Sequence, residues 1–332
     1  MTTRIYTPAS DRYAGGMPYR RCGQSGVMLP QLSLGFWLNF GSESNRRKMH
    51  SIIYYAFDHG ITHLDLANNY GPPVGAAESL LGSMMQTSLK PFRDELFIST
   101  KAGHEMWPGP YGEWGSRKQL MSSIDRSLQR LHVDYVDLFY SHRFDPDTPL
   151  EETLQALVDI VKQGKALYVG ISKYPPEAAE KAYRYLAAHD VHCLAYQGKY
   201  NLLHRDVEEN GILQQAATAG SGFVAFSPLA QGLLTDRYAG GTVPNGSRMA
   251  SGQFLRPEML TPQLMERLER YREVARGRGE TLAAMSLAWL LHDERVSSVI
   301  IGASSIAQLE ENLKAVHRAP FSHEELALLA QS

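Results

Sequence analysis

The sequence has few cysteines, no long apolar run and little net charge. Cys22 and Cys193 are the two cysteines among 332 residues, which excludes a disulfide-stapled scaffold and fits a reducing, cytoplasmic setting. No apolar run approaches the ~18 residues of a membrane-spanning helix, and the first residues lack the apolar segment of a secretory signal. The formal net charge of −2 predicts no basic surface for nucleic acid and no strong attraction to a membrane.

Several motifs of well-known enzyme classes are also missing. The chain shows no zinc-type ligand cluster, no P-loop and no G-x-S-x-G motif, so metallohydrolase, nucleoside-triphosphatase and serine-hydrolase functions lack support and no metal is expected. The composition itself is that of a globular protein, with 43% hydrophobic and 20% charged residues. This length allows one large domain or two ordinary ones.

Short apolar segments alternate with helical patterns eight times along the chain. Continuous apolar runs of this length are typical of parallel strands that are buried on both faces. The predicted strands are Leu32–Gly35, Thr62–Leu66, Leu96–Lys101, Val136–Tyr140, Ala166–Ile171, Cys193–Gln197, Gly222–Phe226 and Val299–Ile301.

The segments between these strands carry helix start and stop signals. Three capping-box patterns predict helix starts, and Pro149 suits a first helical position. Three glycines lie where helices should end. The capping patterns begin at Ser116, Thr148 and Ser305, and the glycines are Gly60, Gly164 and Gly220.

Eight strand–helix pairs fit either an open doubly wound sheet or a closed (β/α)₈ TIM barrel. The G-x-G-x-x-G sequence that an open dinucleotide-binding sheet needs does not follow the first strand, and no linker divides the chain. We therefore expect a single barrel domain over residues 1–332, with extra C-terminal helices. A hairpin at about 19–29 is expected to cap the N-terminal end of the barrel. Residues 239–256 are rich in glycine, serine and proline and are too many for an ordinary turn, so we expect a functional loop or lid there.

Four ionisable residues fall at or just after three successive predicted strands: Asp65, Tyr70, Lys101 and His142. Active sites of such barrels form at the carboxyl ends of the strands, so these side chains can converge. Each also has a structural explanation when taken alone: a helix cap, a packed tyrosine, a solvated lysine or a structural histidine. Taken together, the four favour a site.

Carbonyl reduction is the chemistry that uses this set. A hydride arriving at the carbonyl carbon leaves negative charge on the oxygen, so an acid must supply a proton. Tyr70 can supply it, and a nearby Lys101 ammonium is expected to lower the tyrosine pKa from about 10. Asp65 would hold Lys101, and His142 would donate to the substrate oxygen.

The sequence resembles the aldo-keto reductases from about Tyr19 to the C-terminus. The stretches that carry the resemblance are 62–71 (THLDLANNYG), 97–103 (FISTKAG), 138–146 (LFYSHRFDP), 169–172 (VGIS), 226–234 (FSPLAQGLL) and 300–312 (IIGASSIAQLEEN). Within the family it looks most like the bacterial L-glyceraldehyde 3-phosphate reductases, and it is also similar to the potassium-channel β subunits.

The resemblance implies a catalytic tetrad of Asp65, Tyr70, Lys101 and His142, with NADPH bound across the barrel mouth. It implies that Ser172, Lys173 and Gln197 hold the nicotinamide carboxamide, although Lys173 departs from the usual residue. Phe226 would stack on the nicotinamide ring. The remaining residues that the resemblance assigns to the cofactor are Gly35, Phe36, Trp37, Asp65, Ser227, Pro228, Leu229, Ala230, Gln231, Gly232, Arg237, Arg248, Gly302, Ser304, Gln308, Glu311 and Asn312. Ser304 is expected to open the last helix, where a phosphate is favoured.

The resemblance implies that the substrate is a small aldehyde, such as L-glyceraldehyde 3-phosphate or a related short aldehyde such as methylglyoxal. Trp37, Tyr70, Trp107 and His142 are expected to line its pocket. Arg143 is the candidate for a substrate phosphate, with an ion pair to Asp145 or Asp147 as the structural alternative. Two other functions stay open, namely an NADPH-binding redox sensor and a Schiff-base aldolase that uses Lys101. The family also implies a homo-oligomer, a tetramer or larger.

Overall fold

Eight parallel strands close into a barrel in the order β10-β3-β4-β5-β6-β7-β8-β9. The computed structural model describes residues 6–41, 45–241 and 255–331. The barrel strands are β3 (Leu32–Gly35), β4 (His63–Asp65), β5 (Phe97–Ala102), β6 (Val136–Ser141), β7 (Ala166–Ser172), β8 (Cys193–Lys199), β9 (Gly222–Phe226) and β10 (Val296–Ile301). The predicted TIM barrel is confirmed, and each of its strands overlaps the segment that was predicted.

Helices surround the barrel and extend beyond its last strand. They are α1 (Arg46–Asp58), α2 (Ala76–Met85), α3 (Arg117–Leu131), α4 (Leu150–Lys162), α5 (Pro176–Ala188), α6 (Asp206–Glu209), α7 (Ile212–Thr218), α8 (Pro262–Gly277), α9 (Leu282–His292), α10 (Ile306–Leu313) and α11 (His323–Ala330). The apolar sequence of α9 is buried on nearly every side, because this helix packs against β10, α8 and α10.

A two-stranded hairpin covers the amino end of the barrel, as predicted. Its strands are β1 (Tyr19–Arg21) and β2 (Met28–Pro30). Cys22 and Leu29 of this hairpin are buried in one cluster with side chains of β6, β8 and β9. The backbone N–H of Gln24 also donates to the carbonyl of Gly220, just before β9. The hairpin thus closes the end of the barrel opposite the predicted site.

The predicted helix starts are only partly confirmed. Ser116 and Ser305 cap α3 and α10 by accepting hydrogen bonds from Gln119 and Gln308. The prediction at Thr148 is wrong, because its hydroxyl donates to Asp145 and α4 begins one residue after Pro149. Ser304 does not open the last helix either. It lies one residue before the Ser305 cap of α10, and α11 follows later in the chain.

Two further predictions concern the ends of helices and one loop. Gly60, Gly164 and Gly220 all have positive φ at helix ends, as predicted. Of the segment 239–256 that was predicted as a loop or lid, residues 239–241 lie in the 3-10 helix Asp236–Gly241, and residues 242–254 lie outside the described part of the chain. Within the described residues, no helix is long and apolar enough to cross a membrane.

Candidate active site

Four side chains meet at the carboxyl end of the barrel. Asp65 ends β4, Lys101 lies near the end of β5, and His142 directly follows β6. Tyr70 comes from the loop after β4. Its ring lies 5.1 Å from Lys101 Nζ and 5.9 Å from the ring of His142, measured to ring centroids. The parallel register of β4, β5 and β6 brings the three strand ends to one rim, so residues far apart in sequence become neighbours.

Lys101 and Asp65 form a buried ion pair beneath Tyr70. The side chain of Lys101 is 0% exposed, and its Nζ donates 2.6 Å hydrogen bonds to Asp65 Oδ2 and to the carbonyl of Leu66. Burial lowers the pKa of Lys101, and the charge of Asp65 opposes that shift. A Schiff-base nucleophile needs a free amine that reaches the substrate. Lys101 is not part of the described cavity wall, and two acceptors hold its ammonium, so it does not meet that need.

Asp65 is held from below by a chain of buried polar groups. Its Oδ1 accepts hydrogen bonds from Ser99 Oγ at 2.8 Å and from Gln197 Nε2 at 3.0 Å. His63 Nε2 lies 2.9 Å from the same Ser99 hydroxyl, and His63 Nδ1 lies 2.8 Å from Ser33 Oγ. Because these groups are buried in the barrel interior, they fix the carboxylate on which Lys101 depends.

The expected lowering of the Tyr70 pKa is wrong for this structure. Burial raises the pKa of Tyr70 well above 10, and the charge of Asp65 raises it further. The Lys101 ammonium lies over the ring, but it is already paired with Asp65. Tyr70 is therefore a neutral phenol at pH 7, which is the form of an acid that has a proton to give.

His142 is one of a pair of neutral imidazoles beside Tyr70. Burial lowers the pKa of His142 well below 6.5, and Lys101 and Lys173 are the largest of the nearby charges that lower it further. The ring of His104 packs edge-on against His142, with centroids 4.5 Å apart. Burial lowers the pKa of His104 to about 4. Both rings can thus donate and accept hydrogen bonds at pH 7 without carrying charge.

A cavity of about 920 Å³ opens above these residues. Its wall includes three of the four residues of the predicted tetrad and most of the residues that the resemblance assigned to a cofactor. Those on the wall are Gly35, Trp37, Asp65, Tyr70, His142, Ser172, Lys173, Gln197, Phe226, Ser227, Pro228, Leu229, Gln231, Gly232, Arg237, Gly302, Ser304, Gln308, Glu311 and Asn312.

Some of the predicted site residues do not line this cavity. Phe36 and Ala230 are buried in the main core cluster, and Arg248 lies outside the described residues. The guanidinium of Arg126 lies 4.2 Å from the ring centroid of Trp107. This contact holds the loop after β5 against α3.

Arg143 is also absent from the described cavity wall. Its guanidinium pairs with Glu113, donates to the carbonyl of Gly103 at 2.9 Å and lies 3.6 Å above the ring of Trp114. The ion pair thus forms with Glu113 rather than with Asp145 or Asp147. A role for Arg143 in binding a substrate phosphate stays a prediction.

The cavity also has wall residues that were not predicted from the sequence. They are Asn39, Asn69, His104, Lys199, Thr235, Asp236, Thr281, Ala283, Ile300 and Ile301. His104 follows Lys101 by three residues, so the rule that strand ends carry active-site residues could have reached it. Thr281 lies in the segment before α9, and we see no local pattern that marks it as a wall residue.

The donors on this wall fit a nicotinamide dinucleotide. Ser172 Oγ is buried beside the cavity and has no hydrogen-bond partner among the described residues. The amide of Gln197 comes from the neighbouring strand, in register with Ser172. A hydroxyl and an amide side by side suit a carboxamide group. At the far end of the cavity, the segment before α10 offers backbone and hydroxyl donors of Ser304, which bind Gln308 Oε1 in this structure.

Comparison with known proteins places this site in a family. The model of the aldo/keto reductase family matches residues 31–332. The chain is 51% identical over 331 residues to the L-glyceraldehyde 3-phosphate reductase of Escherichia coli K12, covering 98% of this chain and 95% of that protein. It is 34% identical over 309 residues to a protein of Arabidopsis thaliana described as "Probable voltage-gated potassium channel subunit beta", covering 92% of each.

A solved structure gives the same result. The thermostable aldo-keto reductase Tm1743, in complex with the inhibitor epalrestat, superimposes with a TM-score of 0.73 at 31% identity, covering 95% of this chain and 99% of that one. The barrel, the residues at its rim and the length of the matches all point to the same family. This chain belongs to the aldo/keto reductase family, whose members are oxidoreductases that use nicotinamide cofactors.

Proposed function

We propose that this protein reduces small aldehydes with NADPH and that Tyr70 is the general acid. The observation that carries the proposal is the neutral phenol of Tyr70 at the cavity wall, next to the buried Lys101–Asp65 pair. The relatives at 51% identity are named for L-glyceraldehyde 3-phosphate, so we propose this aldehyde as a substrate. Methylglyoxal, another short aldehyde, is a second candidate.

The cavity residues offer groups that suit each part of the cofactor. Ser172 and Gln197 would bind the nicotinamide carboxamide, and the partly exposed ring of Phe226 would stack on the nicotinamide. The residues 227–232 after β9 would hold the pyrophosphate through backbone groups. Gly302, Ser304, Gln308, Glu311 and Asn312 would bind the adenosine end. Arg237 and the donors before α10 favour NADPH, because they suit an additional phosphate.

The bound cofactor would supply the reducing equivalent at the carbonyl carbon. Tyr70 would donate its proton to the carbonyl oxygen as negative charge develops there. The raised pKa keeps that proton on the phenol until a strong acceptor arrives. The nearby Lys101 ammonium would then stabilise the phenolate that is left, since its Nζ lies 5.1 Å from the ring centroid.

His142 would orient the substrate for this proton transfer. Its ring stands edge-on to Tyr70, so both side chains can reach one oxygen atom. Its lowered pKa keeps the imidazole neutral, and a neutral ring can donate one hydrogen bond without competing with Tyr70 as a proton source. The Asp65–Ser99–His63 chain would hold Lys101 in place throughout.

The alternative of a slow NADPH-binding sensor is kept open by the relatives that are described as channel β subunits. Turnover distinguishes the two functions. We expect NADPH oxidation, followed by absorbance, with glyceraldehyde 3-phosphate, glyceraldehyde and methylglyoxal. Very slow turnover with every short aldehyde in the panel would favour the sensor instead.

The variant Tyr70→Phe tests the proposed acid directly. We expect kcat to fall by about 10²–10⁴-fold, because positioned proton transfer contributes on that scale. The Kd for NADPH, measured by quenching of protein fluorescence, should change little because the lost hydroxyl acts on the substrate oxygen. A variant that keeps most of the wild-type kcat would refute the role of Tyr70.

Two properties of the whole protein are proposals as well. We propose a cytoplasmic location, which both cysteines support because they are free and buried. We also propose a homo-oligomer of four or more chains, as the family resemblance implies. Sedimentation velocity of the purified protein tests the second proposal.

A further inference from the structure

The cavity wall beside His142 carries a cation whose partner is a neutral ring. Lys173 follows β7 and His104 follows β5, and Lys173 Nζ donates a 3.1 Å hydrogen bond to His104 Nε2. The lowered pKa of His104, about 4, leaves that imidazole uncharged at pH 7. Among the ion pairs of the described residues, none joins Lys173 to a carboxylate. Its positive charge is therefore not neutralised by an acidic side chain.

The charges around Lys173 leave an excess of positive potential. Asp65 pairs with Lys101 and Glu113 pairs with Arg143, so neither of these two acids pairs with Lys173. Lys173 is exposed at the cavity mouth, yet partial desolvation of its ammonium, followed by repulsion from Lys101 and Arg143, lowers its pKa to about 8. An anion bound at this wall would relieve that repulsion.

The backbone of Lys173 also adopts an unusual conformation. Its φ is +56°, in the left-handed region that residues other than glycine rarely adopt. Strain of this kind concentrates where a side chain must be held for binding or catalysis. The Lys173 side chain contacts His104, whose ring packs against His142 on the side of the cavity where Tyr70 lies.

We infer that Lys173, held by His104, binds an anionic group of the aldehyde substrate, and that a phosphate monoester is the group it selects. The inference rests on the proposed reduction of small aldehydes and adds the means by which the site recognises a phosphorylated one. Charge-assisted hydrogen bonds from an ammonium to phosphate oxygens are among the stronger polar contacts in proteins. The inference moves Lys173 from the carboxamide site, which the resemblance implied, to the substrate site.

The test compares two aldehydes that differ in the phosphate. The quantity measured is kcat/KM for glyceraldehyde 3-phosphate divided by kcat/KM for glyceraldehyde. We expect this ratio to fall at least tenfold in Lys173→Met and to stay within threefold of wild type in Lys173→Arg, which keeps the charge. Lys199→Met is the matched control, because Lys199 lines the same cavity from the end of β8. It should leave the ratio within threefold of wild type.

Two results would overturn the inference, and two further measurements would then assign the roles of Lys173 and Arg143. An unchanged ratio in Lys173→Met would overturn it, as would an equal fall in Lys199→Met, since general charge in the cavity would then explain the effect. A weaker Kd for NADPH in Lys173→Met with an unchanged ratio would return Lys173 to the carboxamide site. A fall in the ratio in Arg143→Ala but not in Lys173→Met would assign the phosphate to Arg143. In each case reduction of glyceraldehyde by the wild type would leave the proposed function standing.

A pH titration gives a second readout. The lowered pKa of Lys173, about 8, means that its positive charge is lost as the pH rises from 7 to 9.5. The charged or titratable groups that face its ammonium are His104, Lys101 and Arg143. We expect the wild-type ratio to fall over this range and the Lys173→Arg ratio to stay level, because a guanidinium remains protonated. Parallel falls in both proteins would contradict the inference.

Discussion

The ion pair between Lys101 and Asp65 makes each charge depend on the other. Lys101 is fully buried and Asp65 is 2% exposed, so neither charge has much water around it. Replacing one partner leaves an uncompensated charge in a buried site, which typically costs about 3–5 kcal/mol. We therefore predict that Lys101→Met lowers the free energy of unfolding, measured by urea titration, by about that amount.

The double variant Asp65→Asn/Lys101→Met is the control for this prediction. It removes both charges, so it should be more stable than Lys101→Met although the additional substitution lies in the same buried site. A double variant less stable than Lys101→Met would mean that packing of the lysine chain, rather than the charge of Asp65, explains the loss.

The sequence predicted which side chains meet at the barrel rim better than it predicted the groups that those side chains contact. Asp65, Lys101 and His142 could be found because strand ends are a local feature and the barrel brings them to one rim. The partners of Arg143 and Lys173 come from other loops, at Glu113 and His104. Loop conformation decides those contacts, and no periodicity in the sequence encodes it. The direction of the Tyr70 pKa shift was likewise missed, since it depends on burial that only the packed site creates.

Among the elements, the β1–β2 hairpin shows how closely two backbones can pack. Gly23 in its turn has φ +57°, and a Cβ there would lie 2.0 Å from the carbonyl oxygen of Gly220. Gly23→Ala must therefore adopt an unfavourable left-handed conformation and displace backbone. We predict a loss of about 2–5 kcal/mol in the free energy of unfolding, combining ~1–2 kcal/mol for the conformation with ~1–3 kcal/mol for overpacking.

Gly26 gives a matched control in the same hairpin. Apart from its chain neighbours, no atom in the described part of the chain lies within 4 Å of a Cβ built there, so Gly26→Ala should be neutral or slightly stabilising. Urea titration of the two alanine variants tests the difference. Equal losses would mean that any added methyl group disturbs the hairpin, and that its contact with Gly220 is not what matters.

The sequence predicted a helix boundary correctly where the contact that sets the boundary is local. Ser116 and Ser305 were correctly identified as helix caps because a capping hydroxyl binds within three residues. Thr148 has the same pattern, but Asp145 takes its hydroxyl and shifts the start of α4. The capping box of Ser322 and Glu325 at the start of α11 was not predicted, although its pattern is present in the sequence.

At the scale of the whole molecule, closing the barrel buries several imidazoles. Burial lowers the pKa of His63 and of His104 to about 4 and lowers that of His142 well below 6.5. In the unfolded chain a histidine has a pKa near 6.5, so between pH 6.5 and 4 the unfolded state binds protons that the folded state does not. The stability that these neutral imidazoles contribute is therefore fully present above pH 6.5 and is lost as the pH falls towards 4.

We predict that the variant His63→Asn weakens this dependence on pH. At ~1.36 kcal/mol per pH unit, one such imidazole removes roughly 2 kcal/mol of stability between pH 7.5 and 5. His63→Asn is expected to be less stable than wild type at pH 7.5, because it disturbs the hydrogen bonds to Ser33 and Ser99. Its further loss on going to pH 5 should nevertheless be smaller by roughly 2 kcal/mol, since one titrating ring is gone.

Urea titrations at both pH values measure the two losses separately. The exposed His323 on α11 provides the control variant, His323→Asn, which should lose as much stability as wild type because its ring lies in solvent. A pH-dependent loss in His63→Asn equal to that of wild type would mean that the ring of His63 takes up a proton in the folded barrel. In that case the Ser33–His63–Ser99 chain beneath Asp65 would carry a positive charge at pH 5.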